Sequence, residues 1–299
     1  MIRMSNVVKL LLSLSLGFFM FASCKKDRIV DKPLNEYKSV NDYFNSKKQQ
    51  EQEFTIDSAG KAPIIGNQGT KIWPSKDRLM FANGDSVHWP YTVKLIELYS
   101  AKDMLYYQMP NVGGGNILTT CGEIRLRAYK DGQELVLRPS KTWSILMPSK
   151  NPLTDMKQFY GLDATSFTDW VANPAGDFVK TDTGYYADDQ KLGWISCDKD
   201  ASSASSVTVS FISFTDVLTN VGIFIYIPSK QSLIQVYNQI SGKIPVGSDI
   251  KIIAIGINAN DETYYYYKEM TLGQSDEKLD ISLQSISKND LEVKLDALK

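Results

Sequence analysis

One histidine, His88, and two cysteines away from the N-terminus, Cys121 and Cys197, set narrow limits on what this 299-residue chain can catalyse. A Ser-His-Asp or Cys-His site would have to be built on His88 beside Trp89-Pro90, and multi-histidine metal centres are excluded. A loop or strand edge suits His88 better. Neither thiol belongs to a Cys-x-x-Cys pair or another nucleophile motif. Both sit in strand-like runs, where a buried free thiol and a disulfide formed in an oxidising compartment are both compatible with the pattern, the thiols more so. Gly113-Gly114-Gly115 follows Pro110 without the downstream Lys-Ser/Thr of a phosphate loop, so it reads as an ordinary loop.

Carboxylates leave more room. A glycosidase needs only two at a fixed separation, and 34 acidic residues offer many pairs. Asp188-Asp189 and Asp198-Lys199-Asp200 have the right residue type for acid or calcium chemistry but not the regular spacing of a calcium loop, so they read as solvated loops and no metal or cofactor is expected. Aromatic residues point to binding instead. A strand carrying Tyr264, Tyr265, Tyr266 and Tyr267 must send two rings to each face, and exposed Tyr or Trp can stack on a sugar ring or a protein partner. These four and Trp194 are the candidate binding surface, in competition with a plain core role, since Tyr is a good strand former.

The elements that would position these residues are mostly strands. Tyr91 to Leu98 alternates well enough for a half-buried strand, and Glu123 to Tyr129 alternates charged and apolar residues almost strictly. Asp131-Gly132 then supplies a turn, and Glu134 to Leu137 returns before Pro139. Further strands are expected at 207–214, 221–227, 250–257 and 263–270, the last two joined by a turn at 258–262. Short strands at this spacing indicate an all-β chain of sandwich type. Helix is expected at 287–298, with Ser287 as N-cap and Leu291, Leu295 and Leu298 on one face. A short helix at 154–160 is a weaker possibility.

The N-terminus addresses the chain. Arg3 and Lys9 precede an apolar run that closes on Phe21-Ala22-Ser23-Cys24, which reads as a secretory leader ending in a lipoprotein cleavage box. Residues 1–23 would be the signal peptide, Cys24 the lipid-bearing first residue of the mature protein, and residues 24–52, polar and charged, a flexible tether. Pro139, Pro148 and Pro152 mark an expected boundary, giving a β-sandwich domain at 53–148 and a second β domain at 149–299. The whole chain has a formal charge of −1. Removing the leader takes away Arg3 and Lys9 and no acid, so the remainder carries −3. With charge evenly mixed, no nucleic-acid partner is expected.

Several motifs carry a resemblance. Gly66-Asn67-Gln68-Gly69-Thr70-Lys71-Ile72, Tyr91 to Lys102 with Glu97 and Asp103, Gly122-Glu123-Ile124 and Asp131 to Leu135 together resemble a recurrent envelope-lipoprotein architecture of the Bacteroidetes. Leu192-Gly193-Trp194-Ile195-Ser196-Cys197-Asp198 is similar to the Gly-Trp-Ile-Asn-Cys-Asp stretch of such proteins, and Ile244-Pro245-Val246-Gly247 precedes a strand as theirs does. The opening stretch resembles a ZU5-like β-sandwich, although its strand is cut short at Trp73-Pro74-Ser75. The resemblance implies architecture and an outer-membrane location, facing the periplasm or the cell surface, and it implies no catalytic residues. The expectation is therefore a palmitate-bearing envelope lipoprotein that attaches to the membrane through its N-terminus and binds or scaffolds an envelope protein or polysaccharide without being an enzyme. Its alternatives are a carbohydrate-binding accessory lipoprotein and a carboxylate-dependent glycan hydrolase.

Overall fold

The alternation around Glu123 to Tyr129 belongs to a longer strand, Asn116–Lys130, at the centre of a nine-stranded sheet. The computed structural model describes residues 33–59, 62–162 and 169–298, so the expected leader and Cys24 lie outside the described residues. In spatial order the main strands of this sheet are Gln52–Ile56, Tyr91–Leu98, Asn116–Lys130, Gly193–Asp200, Lys157–Gly161 and Val171–Asp177, all paired antiparallel. The hairpin to Gln133–Leu137 turns at Asp131-Gly132, whose φ angles of 51° and 77° suit the twist of a two-residue turn. A five-stranded sheet, with Gly184–Asp189, Trp143–Pro148 and Lys71–Trp73 at its centre, supplies the opposite layer. Val93, Leu95, Ile124, Leu126, Trp143, Ile145 and Tyr185 fill the space between the two sheets.

A second sandwich follows residue 205. Its five-stranded sheet runs Ser232–Gln235, Gly222–Ile227, Asp249–Ile257, Thr263–Thr271 and Gln284–Ile286. Strand Asp249–Ile257 is almost continuously apolar because both of its faces are covered. Ile250, Ile252 and Ala254 point into one core with Val209, Phe211 and Ile225, while Ile253, Ile255 and Ile257 point into another. Each fully buried Ile contributes roughly 1.5–3 kcal/mol.

That other core joins the two halves. Ile96, Leu98, Leu118 and Trp194 of the large sheet, with Trp170 just ahead of its strand Val171–Asp177, meet Phe224, Tyr226 and Leu233 of the second sandwich, with three helices completing the layer. One is the expected C-terminal helix, Lys288–Asp296: Ser287 Oγ accepts from Asp290 N at 3.0 Å, and Leu291, Leu295 and Leu298 are buried. The others, Asn41–Lys47 and Ala101–Tyr107, carry no long apolar period and were not expected from the sequence. The all-β expectation holds: antiparallel sheets dominate and the helices are short.

Three expectations are corrected. The described part of the tether, residues 33–52, is folded: Tyr37, Val40 and Phe44 are buried, and Gln52 begins a strand. Mean polarity concealed three isolated apolar residues: Val40 and Phe44 pack at the start of a short helix in the core between the sandwiches, and Tyr37 packs in the core of the second sandwich. Gly256 makes room for this segment, since a Cβ there would lie 2.7 Å from the Tyr37 ring. The expected boundary between 148 and 149 falls inside paired structure, because Trp143–Pro148 pairs with Gly184–Asp189 and Asn116–Lys130 with Gly193–Asp200. Pro148 ends a strand; it does not open a linker. The possible helix at 154–160 is not formed: Lys157–Gly161 is a strand between two others.

Candidate functional site

The aromatic surface read from the sequence is largely interior. Trp194 is 7% exposed, with the Tyr107 ring 6.0 Å away edge-on and the Arg125 guanidinium 5.7 Å over its face. Thr263–Thr271 does alternate: Tyr264 and Tyr266 pack on the core of the second sandwich, and Tyr265 enters the core between the sandwiches. Tyr267 alone keeps a well-exposed ring, at 39%, stacked on Tyr265 at 6.2 Å between centroids. Both sheet faces are covered, so the two-faced rule cannot leave an open pair of rings. His88 is exposed in a loop.

The structure instead brings other residues together around a cavity of about 870 Å³. Thr119 to Cys121 come from the large sheet and Tyr99 from just beyond its strand Tyr91–Leu98, Pro148 to Asn151, Leu153, Asp182 and Thr183 from the ends of the smaller sheet's strands and the segments that follow them, and Pro228 to Gln231 from the second sandwich. Its charged lining is Lys150, Lys230 and Asp182, so the ammonium groups outnumber the carboxylate. Hydroxyl and amide groups of Gln68, Ser149, Asn151, Thr183 and Gln231 make up much of the remainder.

The wall behind this cavity is held by buried polar groups. Glu97, fully buried, accepts from the Gln68 and Thr70 backbone N–H groups, each at 2.9 Å, and from Gln52 Nε2 at 2.9 Å. This clamps the Gly66 to Thr70 turn; a Cβ at Gly66 would come within 2.5 Å of the Glu97 carboxylate. Tyr99 then hydrogen-bonds Thr70 Oγ1 at 2.7 Å and lies flat over Gly122, whose φ of 126° favours glycine. Any side chain at Gly122 would meet the Tyr99 ring.

Gly122 and Cys121 form a bulge in Asn116–Lys130. Pairing jumps from Glu123 opposite Ser196 to Thr120 opposite Asp198, so Cys197 stands opposite both residues. Both cysteines are free thiols. The Cys121 thiol donates to Tyr185 Oη at 2.9 Å, and that same oxygen accepts from Leu153 N at 2.6 Å. A hydrogen bond with Cys197, aided by Tyr185, outweighs burial and lowers the Cys121 pKa. Burial and the adjacent Cys121 raise that of Cys197.

On the other side of the same strands two carboxyls are wholly buried. Glu123 Oε1 accepts from Asn111 Nδ2 at 2.7 Å, and its other oxygen has no partner. Burial, then the neighbouring Asp198, pushes its pKa far up. Burial raises Asp198 to about 7; the Thr120 and Ser196 hydroxyls lie beside it and moderate the shift without either making a hydrogen bond of normal geometry. Neither carboxyl opens onto the cavity, whose only carboxylate among the described residues is Asp182. Among the described residues no group of three His, Cys, Asp or Glu side chains is placed to hold a metal ion, and no helix is long and apolar enough to cross a membrane.

Compared with family models, curated proteins and solved structures, the chain matches none. The cavity residues carry no local motif, because their chain positions range from Gln68 to Gln231. The one signal in the sequence was the cluster of short motifs at Gly66 to Ile72, Gly122 to Ile124 and Gly193 to Asp198, which meet behind this wall.

Proposed function

We propose that this chain is a lipid-anchored envelope protein whose folded body is a non-catalytic binding module, with the cavity between the two sandwiches as its ligand site. The observation that carries this reading is the cavity itself: about 870 Å³, formed where residues of both sheets of the first sandwich meet the second sandwich, and rich in hydroxyl, amide and ammonium groups. Its size falls in the range of small-ligand sites, which are concave and present few charged groups. Such a lining suits a hydroxyl-rich ligand bearing negative charge, as in an acidic oligosaccharide, and Lys150 and Lys230 would meet that charge. A hydrolase is less well supported, because the buried pair Glu123 and Asp198 is closed off and Asp182, the one cavity carboxylate among the described residues, cannot supply both the acid and the base. The anchor rests on the leader and Cys24, and the outer membrane, on its periplasmic or surface side, is the corresponding location.

The test is titration of the protein carrying Cys24→Ser, which leaves it without lipid, against neutral and acidic oligosaccharides. Binding that weakens about 10-fold or more in Lys150→Ala/Lys230→Ala, with an unchanged melting temperature, supports the reading. Equal binding by the double variant removes the cavity as the site, and bond cleavage in the mixture overturns the non-catalytic assignment. Labelling with a palmitate analogue, lost in Cys24→Ser, tests the anchor separately.

A further inference from the structure

The register puts Cys121 and Cys197, distant in the chain, side by side on paired strands. Neighbouring antiparallel strands hold facing Cα atoms about 4.5–5.5 Å apart, within the roughly 4.4–6.8 Å that a disulfide spans. Cys197 has Cys121 and Gly122 opposite it across the bulge, and both thiols border the same core. The two differ in access. Cys121 is part of the cavity wall, whereas Cys197 is 0% exposed behind it.

We infer that Cys121 and Cys197 are a reversible redox pair, in which Cys121 meets a small-molecule disulfide arriving through the cavity and Cys197 resolves the product. The deprotonated Cys121 sulfur attacks one sulfur of the reagent RSSR; the S–S bond breaks, and RS⁻ leaves and takes up the proton that Cys121 lost. A mixed disulfide now links Cys121 to RS. The Cys197 sulfur attacks the Cys121 sulfur of that bond, a second RS⁻ departs with the Cys197 proton, and the internal bridge closes. The protein dithiol has given up two electrons, and RSSR has become two RSH. Excess thiol drives the same steps backwards.

Cys121 is the entry point on two grounds: its exposure, and a hydrogen-bonded environment that favours its thiolate while burial disfavours that of Cys197. Closing the bridge also reaches the cavity. Cys121 would no longer donate to Tyr185 Oη, the oxygen that also accepts from Leu153 N at the cavity edge. The inference uses the cavity as an access route and does not depend on which ligand occupies it.

The test treats the full chain with oxidised glutathione at neutral pH, alkylates remaining thiols and maps every cysteine peptide, Cys24 included. In wild type the expected result is a single new bridge between the Cys121 and Cys197 peptides and loss of both alkylatable thiols, reversed by dithiothreitol. Cys197→Ser is expected to accumulate one glutathione at Cys121, and Cys121→Ser to leave Cys197 unmodified. Wild type that keeps both thiols alkylatable, holds glutathione at Cys121 without resolving it, or bridges either residue to Cys24 instead overturns the inference. Because the wild-type result decides it, poor folding of a variant does not blunt the test.

Discussion

The Asn111 side-chain amide donates to the Glu123 carboxyl at 2.7 Å inside the seam between the two sandwiches. Its carbonyl oxygen accepts from Leu233 N at 2.7 Å, and its backbone N–H donates to Leu233 O at 2.8 Å. One residue thereby ties the large sheet's central strand to the edge strand of the second sandwich. Asn111→Ala strands a buried acid and a buried backbone N–H, each costing about 1–3 kcal/mol. We expect a loss of about 2–4 kcal/mol in urea denaturation. A midpoint equal to that of wild type would show that water replaces the amide.

Asp198 and Glu123 give stability a pH dependence opposite to that of most proteins. Both carboxyls hold their protons more tightly folded than unfolded, so their contribution is complete below about pH 4, the unfolded value. It is lost as pH rises through the Asp198 value of about 7. Asp189, raised to about 6 chiefly by burial, adds in the same direction. Thermal melts should therefore show higher stability near pH 5 than near pH 8, by on the order of a few kcal/mol. Asp198→Asn, which cannot ionise, should flatten much of that slope; an unchanged slope would assign it to other groups.

Phe44 tests the corrected N-terminal segment. Its ring is fully buried and lies 5.8 Å from that of Phe224. Phe44→Ala should cost about 3–5 kcal/mol, measured by denaturant unfolding. Truncation to residue 52 should lower stability further, whereas a true tether could be removed without effect.

Tyr265 and Tyr267 separate core from surface on one strand face. Tyr265→Ala should destabilise by about 3 kcal/mol or more, and Tyr267→Ala by no more than about 1. If Tyr267→Ala also abolishes oligosaccharide binding while the lysine double variant does not, the ligand sits on this face and the cavity assignment is wrong.

What the sequence conveyed depended on how local the cause was. Strand Glu123 to Tyr129 and the Asp131-Gly132 turn were legible because alternation and positive-φ preference act over a few neighbours. The Ser287 cap was legible for the same reason. For Trp194 and Tyr265 the sequence left surface and core roles in competition, because nothing local shows that a second sandwich covers the far side. Phe44 was lost in the average polarity of its segment. The seam residues Asn111, Glu123 and Asp198 look like ordinary loop or strand-edge polar groups until pairing across 122 residues, as between Asn111 and Leu233, buries them.

The folded N-terminal segment also shortens the leash. With residues 24–52 unstructured, a lipid on Cys24 would let the body roam about 90–100 Å from the bilayer at full extension, taking about 3.3–3.6 Å per residue. Chain length alone bounds the separation once Leu34 belongs to the folded body: the ten peptide steps from Cys24 to Leu34 reach at most about 35 Å. Asp216, on the second sandwich, grips the point where this short leash ends, accepting from Asn35 Nδ2 at 3.0 Å and Tyr37 Oη at 2.6 Å. If Cys24 bears the proposed lipid, that bound keeps the attachment point of the second sandwich within reach of the bilayer surface.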